Sequence, residues 1–377
     1  MQSPLPSGVL PQASADGAIR VMIVDDSVVI RGLLTRWLNA VPGLVVVSSQ
    51  RTGATALKDL DYSKPDVVLL DVEMPEMDGI TALPLMLERR RDLVVIMASS
   101  LTQRNAEISL RALSLGAKDY IPKPEGNHGV TTSVDFRRDL IEKVTVLGAM
   151  ARRRRTGGRP AEGRVSAAES APQRAFSLRP FSRVRPRVLA IGSSTGGPQA
   201  LFTMFKQIGP AIDAVPVLVT QHMPPNFTAI LASQLGVISG RPAREAGHGE
   251  VLMPGQIYVA PGGKHMLIEK SGDHPTIVLR DSPPINFCKP AVDPLFESVV
   301  EVFGAAILAV VLTGMGTDGA RGGVKIAEAG GSVVAQDEAT SVVWGMPGAT
   351  AQLGACSAVL PIDELGKTVA AVLGGRP

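Results

Sequence analysis

Short apolar runs alternate with amphipathic segments along most of this chain. From residue 19 to about residue 150, five apolar runs of strand length are separated by segments whose apolar residues recur at helical spacing. Such alternation predicts a parallel sheet covered by helices on both faces. The pattern resumes over residues 187–377, where several short strands between 255 and 280 interrupt it and indicate some antiparallel pairing. The sequence therefore predicts an α/β protein with two doubly wound, mainly parallel sheets.

An arginine-rich segment separates the two halves. Residues 151–187 hold eleven of the 38 basic residues and two of the 35 acidic ones, with little hydrophobic periodicity. This composition is typical of a flexible linker. We expect a disordered tail over residues 1–17, a first domain over 18–142, the linker over 143–184 and a second domain over 185–377.

Composition excludes several classes of protein. The longest apolar run, residues 302–312, is interrupted by Gly304 and is much shorter than the roughly 18 residues that a membrane span needs, so no membrane insertion is expected. The N-terminal segment lacks the basic start and apolar core of a signal peptide. The two cysteines, Cys288 and Cys356, have no CxxC partner, fit a reducing cytoplasm and are interpreted as packing residues. The arginine-rich segment lacks a recognisable nucleic-acid-binding fold, so specific nucleic-acid binding is not expected.

Carboxylates follow two strands of the first half. Asp25 and Asp26 follow the first strand, and Asp71 follows the third. Because carboxylates brought together at one sheet edge repel each other, a hard cation such as Mg²⁺ is expected among them. The fourth strand ends in Ser99-Ser100, and Lys123 follows the fifth. Together these groups can form and hold a phosphoryl group on a carboxylate oxygen.

The second half opens with a glycine-flanked serine. An apolar run at 188–191 leads into Gly-Ser-Ser-Thr-Gly-Gly around Ser194, and an amphipathic segment follows. Strand, G-x-S-x-G and helix together favour a nucleophile elbow. The loop lacks the Gly-Lys-Ser/Thr of a phosphate-binding P-loop, and the next strand ends in Gln221-His222 instead of the acidic residue of a dinucleotide site.

Two further strand ends supply partners for this serine. His222 is the candidate base, and Asp318, in a glycine-rich stretch after a long apolar strand, is the candidate orienting carboxylate. The residues alone leave alternatives open. His265 competes as the base, and Asp293 and Asp337 compete as the carboxylate.

The first half resembles the receiver domain of two-component response regulators, which has a flavodoxin-like fold. The matching residues are Asp25-Asp26-Ser27, Leu70-Asp71-Val-Glu-Met74-Pro75-x-Met-Asp-Gly79, Ala98-Ser99 and Tyr120-Ile-Pro-Lys123-Pro124. The resemblance implies that Asp71 accepts a phosphoryl group from a histidine kinase. It also implies Mg²⁺ held by Asp25, Asp26, Asp71 and the Glu73 carbonyl. Ser99, or its neighbour Ser100, and Lys123 would contact the phosphoryl group, and the Tyr120 ring would change position on activation.

The second half resembles the catalytic domain of the chemotaxis protein-glutamate methylesterase family, with a Rossmann-like fold. The matching segments are Gly192-Ser-Ser194-Thr195-Gly-Gly197, Gln221-His222-Met-Pro224, Pro261-Gly-Gly-Lys-His265, Leu312-Thr-Gly-Met315-Gly-Thr-Asp318-Gly319 and residues 336–347. The resemblance implies a Ser194–His222–Asp318 triad, support from Thr195 and an oxyanion contact from the Met315 N–H.

Receiver, linker and esterase in this order form that family's architecture. The resemblance implies a phosphorylation-activated hydrolase that demethylates glutamate γ-methyl esters and deamidates specific glutamines on chemoreceptors, with no cofactor for the esterase reaction. We expect a cytoplasmic protein that is recruited to membrane receptor arrays. Two other interpretations are a DNA-binding response regulator and a non-catalytic adaptor that keeps the fold.

Overall fold

Two parallel sheets organise the chain. The computed structural model describes residues 17–100, 102–123, 134–155 and 176–375. The tail through residue 16, Pro124 and the linker stretch 156–175 lie outside these described residues.

The first sheet contains five strands in the order β2-β1-β3-β4-β5. Its strands are β1 (Ile19–Val24), β2 (Leu44–Gln50), β3 (Val67–Asp71), β4 (Val94–Ser100) and β5 (Asp119–Lys123). Its helices are α1 (Val28–Asn39), α2 (Gly53–Ser63), α3 (Gly79–Arg89), α4 (Gln103–Ser114) and α5 (Val134–Arg155). All five predicted strands are confirmed. The central strands β1 and β3 pair in parallel, so the residues that follow them meet at one sheet edge.

Polar side chains begin four of these helices. Each accepts a hydrogen bond from a backbone N–H of the first helical turn, which satisfies a donor that has no partner inside the helix. These caps are Ser27, Thr52, Asp78 and Thr102 for α1 to α4.

Helix α5 continues through Arg155, beyond residue 143, where the linker is predicted to start, so the first part of that predicted segment is helical. Leu140, Val144, Leu147 and Ala151 are buried. Their spacing is that of one helix face, so packing holds the helix beyond residue 143. The arginines that follow can extend it because arginine is a good helix former.

The second sheet contains seven strands in the order β14-β13-β12-β6-β7-β9-β8, and its pairings are parallel. Its strands are β6 (Val188–Ser193), β7 (Val217–Gln221), β8 (Ala243–Glu245), β9 (Ile257–Val259), β12 (Ile307–Val311), β13 (Ser332–Gln336) and β14 (Ala358–Leu360). Strands β10 (His265–Ser271) and β11 (His274–Arg280) form a separate antiparallel pair, which confirms the expected break in the parallel pattern.

The helices of this half are α6 (Gly197–Ile208), α7 (Phe227–Ser239), α8 (Val292–Phe303), α9 (Ala320–Glu328), α10 (Met346–Gln352) and α11 (Ile362–Leu373). The chain passes from β6 to β7 on one side and later returns to β12 on the other. The carboxyl end of β6 is therefore a topological switch point, where open α/β sheets commonly bind their ligands.

The described residues divide into two compact units, and the boundary lies inside β4. The second unit contains the end of β4, α4 and β5 together with everything from Phe176 onward. Within it, α4 packs against α6 and α7. The Gln199 side-chain amide donates to the carbonyl oxygens of Leu113, at 3.0 Å, and Ala117, at 2.8 Å.

Candidate active site and phosphoacceptor site

Ser194 lies where β6 passes into α6. Its backbone N–H donates to the Thr313 carbonyl at 3.0 Å, and its own carbonyl accepts from the Gln221 side chain at 2.9 Å. Gly196 has a φ of +74°, which lets the chain turn sharply into α6. A Cβ at Gly314 would lie 2.8 Å from Ser194 Cβ and 2.3 Å from Met346 Sδ. The neighbouring strand ends therefore hold the serine backbone, and Gly314 leaves the space that it needs.

His222 and Asp318 form a hydrogen-bonded pair. His222 Nε2 lies 2.7 Å from Asp318 Oδ2, and the two side chains are 9% and 2% exposed. The carboxylate also accepts from the Val292 and Asp293 N–H groups at the start of α8, at 2.5 and 2.9 Å, and from Gly319 N–H at 3.0 Å. Asp318 is thus fixed by backbone donors at a helix N-terminus, where a negative charge is favourable.

Opposing effects set the ionisation of this pair. Burial raises the pKa of Asp318, but the hydrogen bond and charge of His222 and the backbone donors outweigh burial and hold that pKa below its usual value. Burial lowers the pKa of His222, but the charge of the Cys288 sulfur and hydrogen bonds to Asp318 and Cys288 raise that pKa to about 10. The pair is therefore held in its charged form at neutral pH.

The second imidazole nitrogen faces a cysteine. Cys288 Sγ lies 3.3 Å from His222 Nδ1. Within the described residues, no hydrogen bond joins Ser194 Oγ to His222. The predicted triad residues follow three adjacent strands, β6, β7 and β12, and His222 and Asp318 are in contact.

The competing residues have structural roles. His265 is 1% exposed, and both of its ring nitrogens are occupied, Nδ1 by the Ala291 N–H and Nε2 by the Pro283 carbonyl, each at 3.1 Å. Asp293 accepts from Gly322 N–H at 2.8 Å and from Arg321 Nε at 3.2 Å. Asp337 accepts from the N–H and hydroxyl of Thr340. These contacts occupy the competing side chains, whereas His222 and Asp318 contact each other after strands on either side of β6, which Ser194 follows.

Two backbone donors are candidates for an oxyanion contact. Among the described residues, the Thr195 and Met315 N–H groups donate to no other group. Thr195 is buried, and its carbonyl accepts from the Thr313 hydroxyl at 2.9 Å, which ties the two segments together. Buried N–H groups are rarely left without an acceptor, so the Thr195 donor suits an oxyanion supplied by a substrate. Met315 is partly buried and follows Gly314, where a Cβ would lie 2.8 Å from Ser194 Cβ.

Three carboxylates gather at the carboxyl edge of the first sheet. Ligand atoms of Asp25, Asp26 and Asp71 all lie within 4.8 Å of one another. Asp25 and Asp71 are buried and Asp26 is exposed. An all-oxygen set of this kind, open on one side, fits Mg²⁺, which prefers carboxylates together with water or phosphate ligands. The Glu73 side chain is exposed, and the metal contact of its carbonyl stays a prediction.

The other receiver residues lie on the second unit. The Ser99 hydroxyl is buried, 2.8 Å from that of Ser109, whereas Ser100 pairs with Lys123 in the register of β4 and β5. Both serines therefore remain candidates for the contact with the phosphoryl group. The Tyr120 ring is 4% exposed and stacks on Phe227.

Two features of the site were not foreseen from the sequence. Cys288 was interpreted as a packing residue, but it is only partly buried and contacts the candidate base. Gln221 holds both Ser193 Oγ, at 2.7 Å, and the Ser194 carbonyl. The position of Gln221 at the end of β7, directly before His222, is a sequence signal that could have identified the glutamine. No local motif identifies the cysteine.

Comparison with known proteins identifies the families of the two halves. Residues 189–369 match the CheB methylesterase family, and residues 21–135 match the response regulator receiver domain. A protein-glutamate methylesterase/protein-glutamine glutaminase of the group 2 operon of Rhodopseudomonas palustris is 58% identical over 370 residues, which cover 95% of each chain. The Nitrobacter hamburgensis protein-glutamate methylesterase/protein-glutamine glutaminase is 55% identical, covering 95% of this chain and 94% of the relative.

A similarity to a solved structure covers the second half. The crystal structure of the CheB methylesterase catalytic domain of Thermotoga maritima has a TM-score of 0.48 and 37% identity, and the match covers 50% of this chain and 100% of that chain.

No helix in the described part of this chain is long and apolar enough to cross a membrane.

Proposed function

Since the chain belongs to the protein-glutamate methylesterase/protein-glutamine glutaminase family and carries a receiver domain, we propose that Ser194, His222 and Asp318 form its catalytic triad. The substrates are glutamate γ-methyl esters and specific glutamines on chemoreceptors. The observation that carries this proposal is the 2.7 Å pair between His222 Nε2 and Asp318 Oδ2 at strand ends on either side of that bearing Ser194.

Each residue of the proposed triad has a distinct role. Asp318 holds Nε2 of the imidazole, so Nδ1 of the neutral form of His222 is the nitrogen that removes the proton from Ser194 Oγ. Oγ attacks the ester carbonyl, and the N–H groups of Thr195 and Met315 stabilise the oxyanion. The imidazolium returns the proton as methanol leaves, and water then hydrolyses the glutamyl-serine ester with His222 again as base. On a glutamine the same sequence releases ammonia.

Phosphorylation of Asp71 controls this reaction. Asp25, Asp26 and Asp71, with the Glu73 carbonyl, would hold Mg²⁺, which supplies charge neutralisation for phosphoryl transfer from a histidine kinase. The added charge of roughly −1.5 to −2 attracts the Lys123 ammonium and a serine hydroxyl of β4. The contacts of α4 and β5 with α6 and α7 support transmission of a structural change from the phosphoryl site to the triad. Gln199 lies shortly after Ser194 and Phe227 shortly after His222.

Methanol release from methylated receptor membranes, with and without a small phosphodonor, tests the proposal. Ser194→Ala should lower the rate by about four to six orders of magnitude. Ser193→Ala is the matched control, because its hydroxyl is buried against Gln221. An active Ser194→Ala protein would remove the nucleophile assignment, whereas a wild-type protein that releases no methanol would favour the non-catalytic adaptor. A salt-sensitive gel shift would show that the protein binds DNA. If DNA left the rate of methanol release unchanged, this binding would be a property separate from the esterase reaction.

A further inference from the structure

Cys288 is held against the candidate base by a tight turn. Its backbone N–H and carbonyl exchange hydrogen bonds with those of Ile285, at 2.9 and 3.0 Å, across the residues Asn286 and Phe287. Both of these have positive φ, +50° and +65°, as two-residue hairpin turns require. The turn presents Cys288 Sγ to His222 Nδ1 at 3.3 Å while the residue stays partly exposed.

This turn lies within a loop over residues 283–291, and the buried His265 anchors both ends of the loop. It contacts the Pro283 carbonyl before the turn and the Ala291 N–H after it. Because one buried side chain holds both ends, the loop has little freedom to withdraw Cys288. The contact between Cys288 and His222 is thus built into the packing of the domain.

Only one imidazole nitrogen is available for two partners. Nε2 is bound to Asp318, so Ser194 Oγ and Cys288 Sγ both depend on Nδ1. A group added to Sγ would occupy the space beside Nδ1 that the serine hydroxyl needs during proton transfer. Cys288 is only partly buried, so a small oxidant can reach the sulfur that contacts Nδ1.

The chain offers an internal comparison in its other cysteine. Cys356 is fully buried, and burial raises the pKa of its thiol to about 12. It therefore remains protonated and inaccessible under conditions in which Cys288 can react.

We propose that Cys288 is an oxidation site through which hydroperoxides reversibly switch off the esterase, an inference that rests on the proposed triad. Cys288 Sγ attacks one peroxide oxygen and the O–O bond breaks. The sulfur loses two electrons and becomes a sulfenic acid, while the departing oxygen takes the thiol proton and leaves as water or an alcohol. The oxidised sulfur stays beside Nδ1 and obstructs Ser194. A dithiol reductant restores the thiol and releases water.

The test uses the full chain as wild type, Cys288→Ala and Cys356→Ala, each treated with hydrogen peroxide. Treated and untreated methanol release are compared within each variant, and a 1,3-diketone probe locates sulfenic acid by mass spectrometry. Wild type and Cys356→Ala should lose activity about tenfold or more and recover with dithiothreitol, whereas Cys288→Ala should change by less than about twofold. Equal losses in wild type and Cys288→Ala, or labelling without loss, would overturn the proposal.

A second measurement separates this inference from the triad assignment. The rate of iodoacetamide labelling at Cys288 needs no turnover, and it should fall about tenfold in His222→Gln because the sulfur loses the imidazole nitrogen that it contacts. An unchanged labelling rate would contradict the pairing of Cys288 with His222. An active Ser194→Ala enzyme would instead contradict the proposed function while leaving the labelling result intact.

Discussion

The ring of Tyr120 stacks on the ring of Phe227, with centroids 4.6 Å apart and planes inclined by 9°. Tyr120 lies in β5, next to Lys123 of the predicted phosphoryl site, and Phe227 opens α7 shortly after His222. A stacked aromatic pair of this kind contributes about 0.5–1.5 kcal/mol beyond the area that it buries. Movement of the Tyr120 ring would therefore change its contact with α7, the helix that follows the candidate base.

Gln199 offers the cleanest test of this contact. Gln199→Ala removes two hydrogen bonds to the Leu113 and Ala117 carbonyls, each worth about 1 kcal/mol. We expect unphosphorylated activity to rise several-fold, about fivefold or more, with little change in the phosphorylated rate. Lys206→Ala, an exposed position on the same helix, is the control. Equal basal rates in all three proteins would show that this contact does not restrain the esterase.

Asp71→Asn should keep basal methanol release but ignore phosphodonor and Mg²⁺, because an amide cannot form an acyl phosphate. The measurement is the ratio of rates with and without phosphodonor, together with incorporation of labelled phosphate. Ser99→Ala and Ser100→Ala, assayed in parallel, identify the hydroxyl that supports activation. Normal labelling of the Asp71→Asn protein would place the phosphoacceptor elsewhere.

Asp318→Asn should lower kcat by about two to four orders of magnitude, since the amide no longer holds the imidazole in the required tautomer. Asp337→Asn is a matched control because its carboxylate only orders Thr340. Asp318 accepts hydrogen bonds from the first N–H groups of α8, so circular dichroism checks that this helix remains folded. A kcat for Asp318→Asn close to that of the control would exclude Asp318 from the triad.

The pH dependence follows from His222. Its pKa is raised to about 10, and only the neutral imidazole acts as a base, so kcat/KM should increase as pH rises from neutral into the alkaline range. The two ionisable groups that raise this pKa are Asp318 and Cys288. Cys288→Ala removes one of them, so its profile should shift to lower pH. Ser194→Ala supplies the blank for spontaneous ester hydrolysis, and superimposable profiles for wild type and Cys288→Ala would contradict the assignment.

Gly314→Ala should disturb the nucleophile directly. The added methyl group would meet the Ser194 backbone nitrogen at 3.0 Å and Met346 Sδ at 2.3 Å, so the strand ends must shift. Overpacking of this kind costs about 1–3 kcal/mol, which thermal unfolding can measure alongside lost activity. Gly32→Ala, where a Cβ meets nothing within 4 Å, is the control. A fully active and equally stable Gly314→Ala protein would contradict this description.

The alternation of apolar and amphipathic segments was sufficient to predict both sheets, because strand burial and helix periodicity are local patterns. Strands β8 and β14, three residues each, escaped prediction because their positions depend on pairing at the sheet edges. The continuation of α5 past residue 143 was likewise decided by burial against the sheet, which overrode the linker-like composition that follows.

The sequence by itself also determined which residues are candidates for the chemistry. Glycine, serine, histidine and aspartate follow strands whose carboxyl ends must meet in a parallel sheet. Only the tertiary structure distinguishes the surroundings of His222 from those of His265, because side chains contact the first ring and backbone groups occupy the second. It alone placed Cys288 against Nδ1 of His222, since that contact joins positions far apart in the chain and no local pattern encodes such a distance.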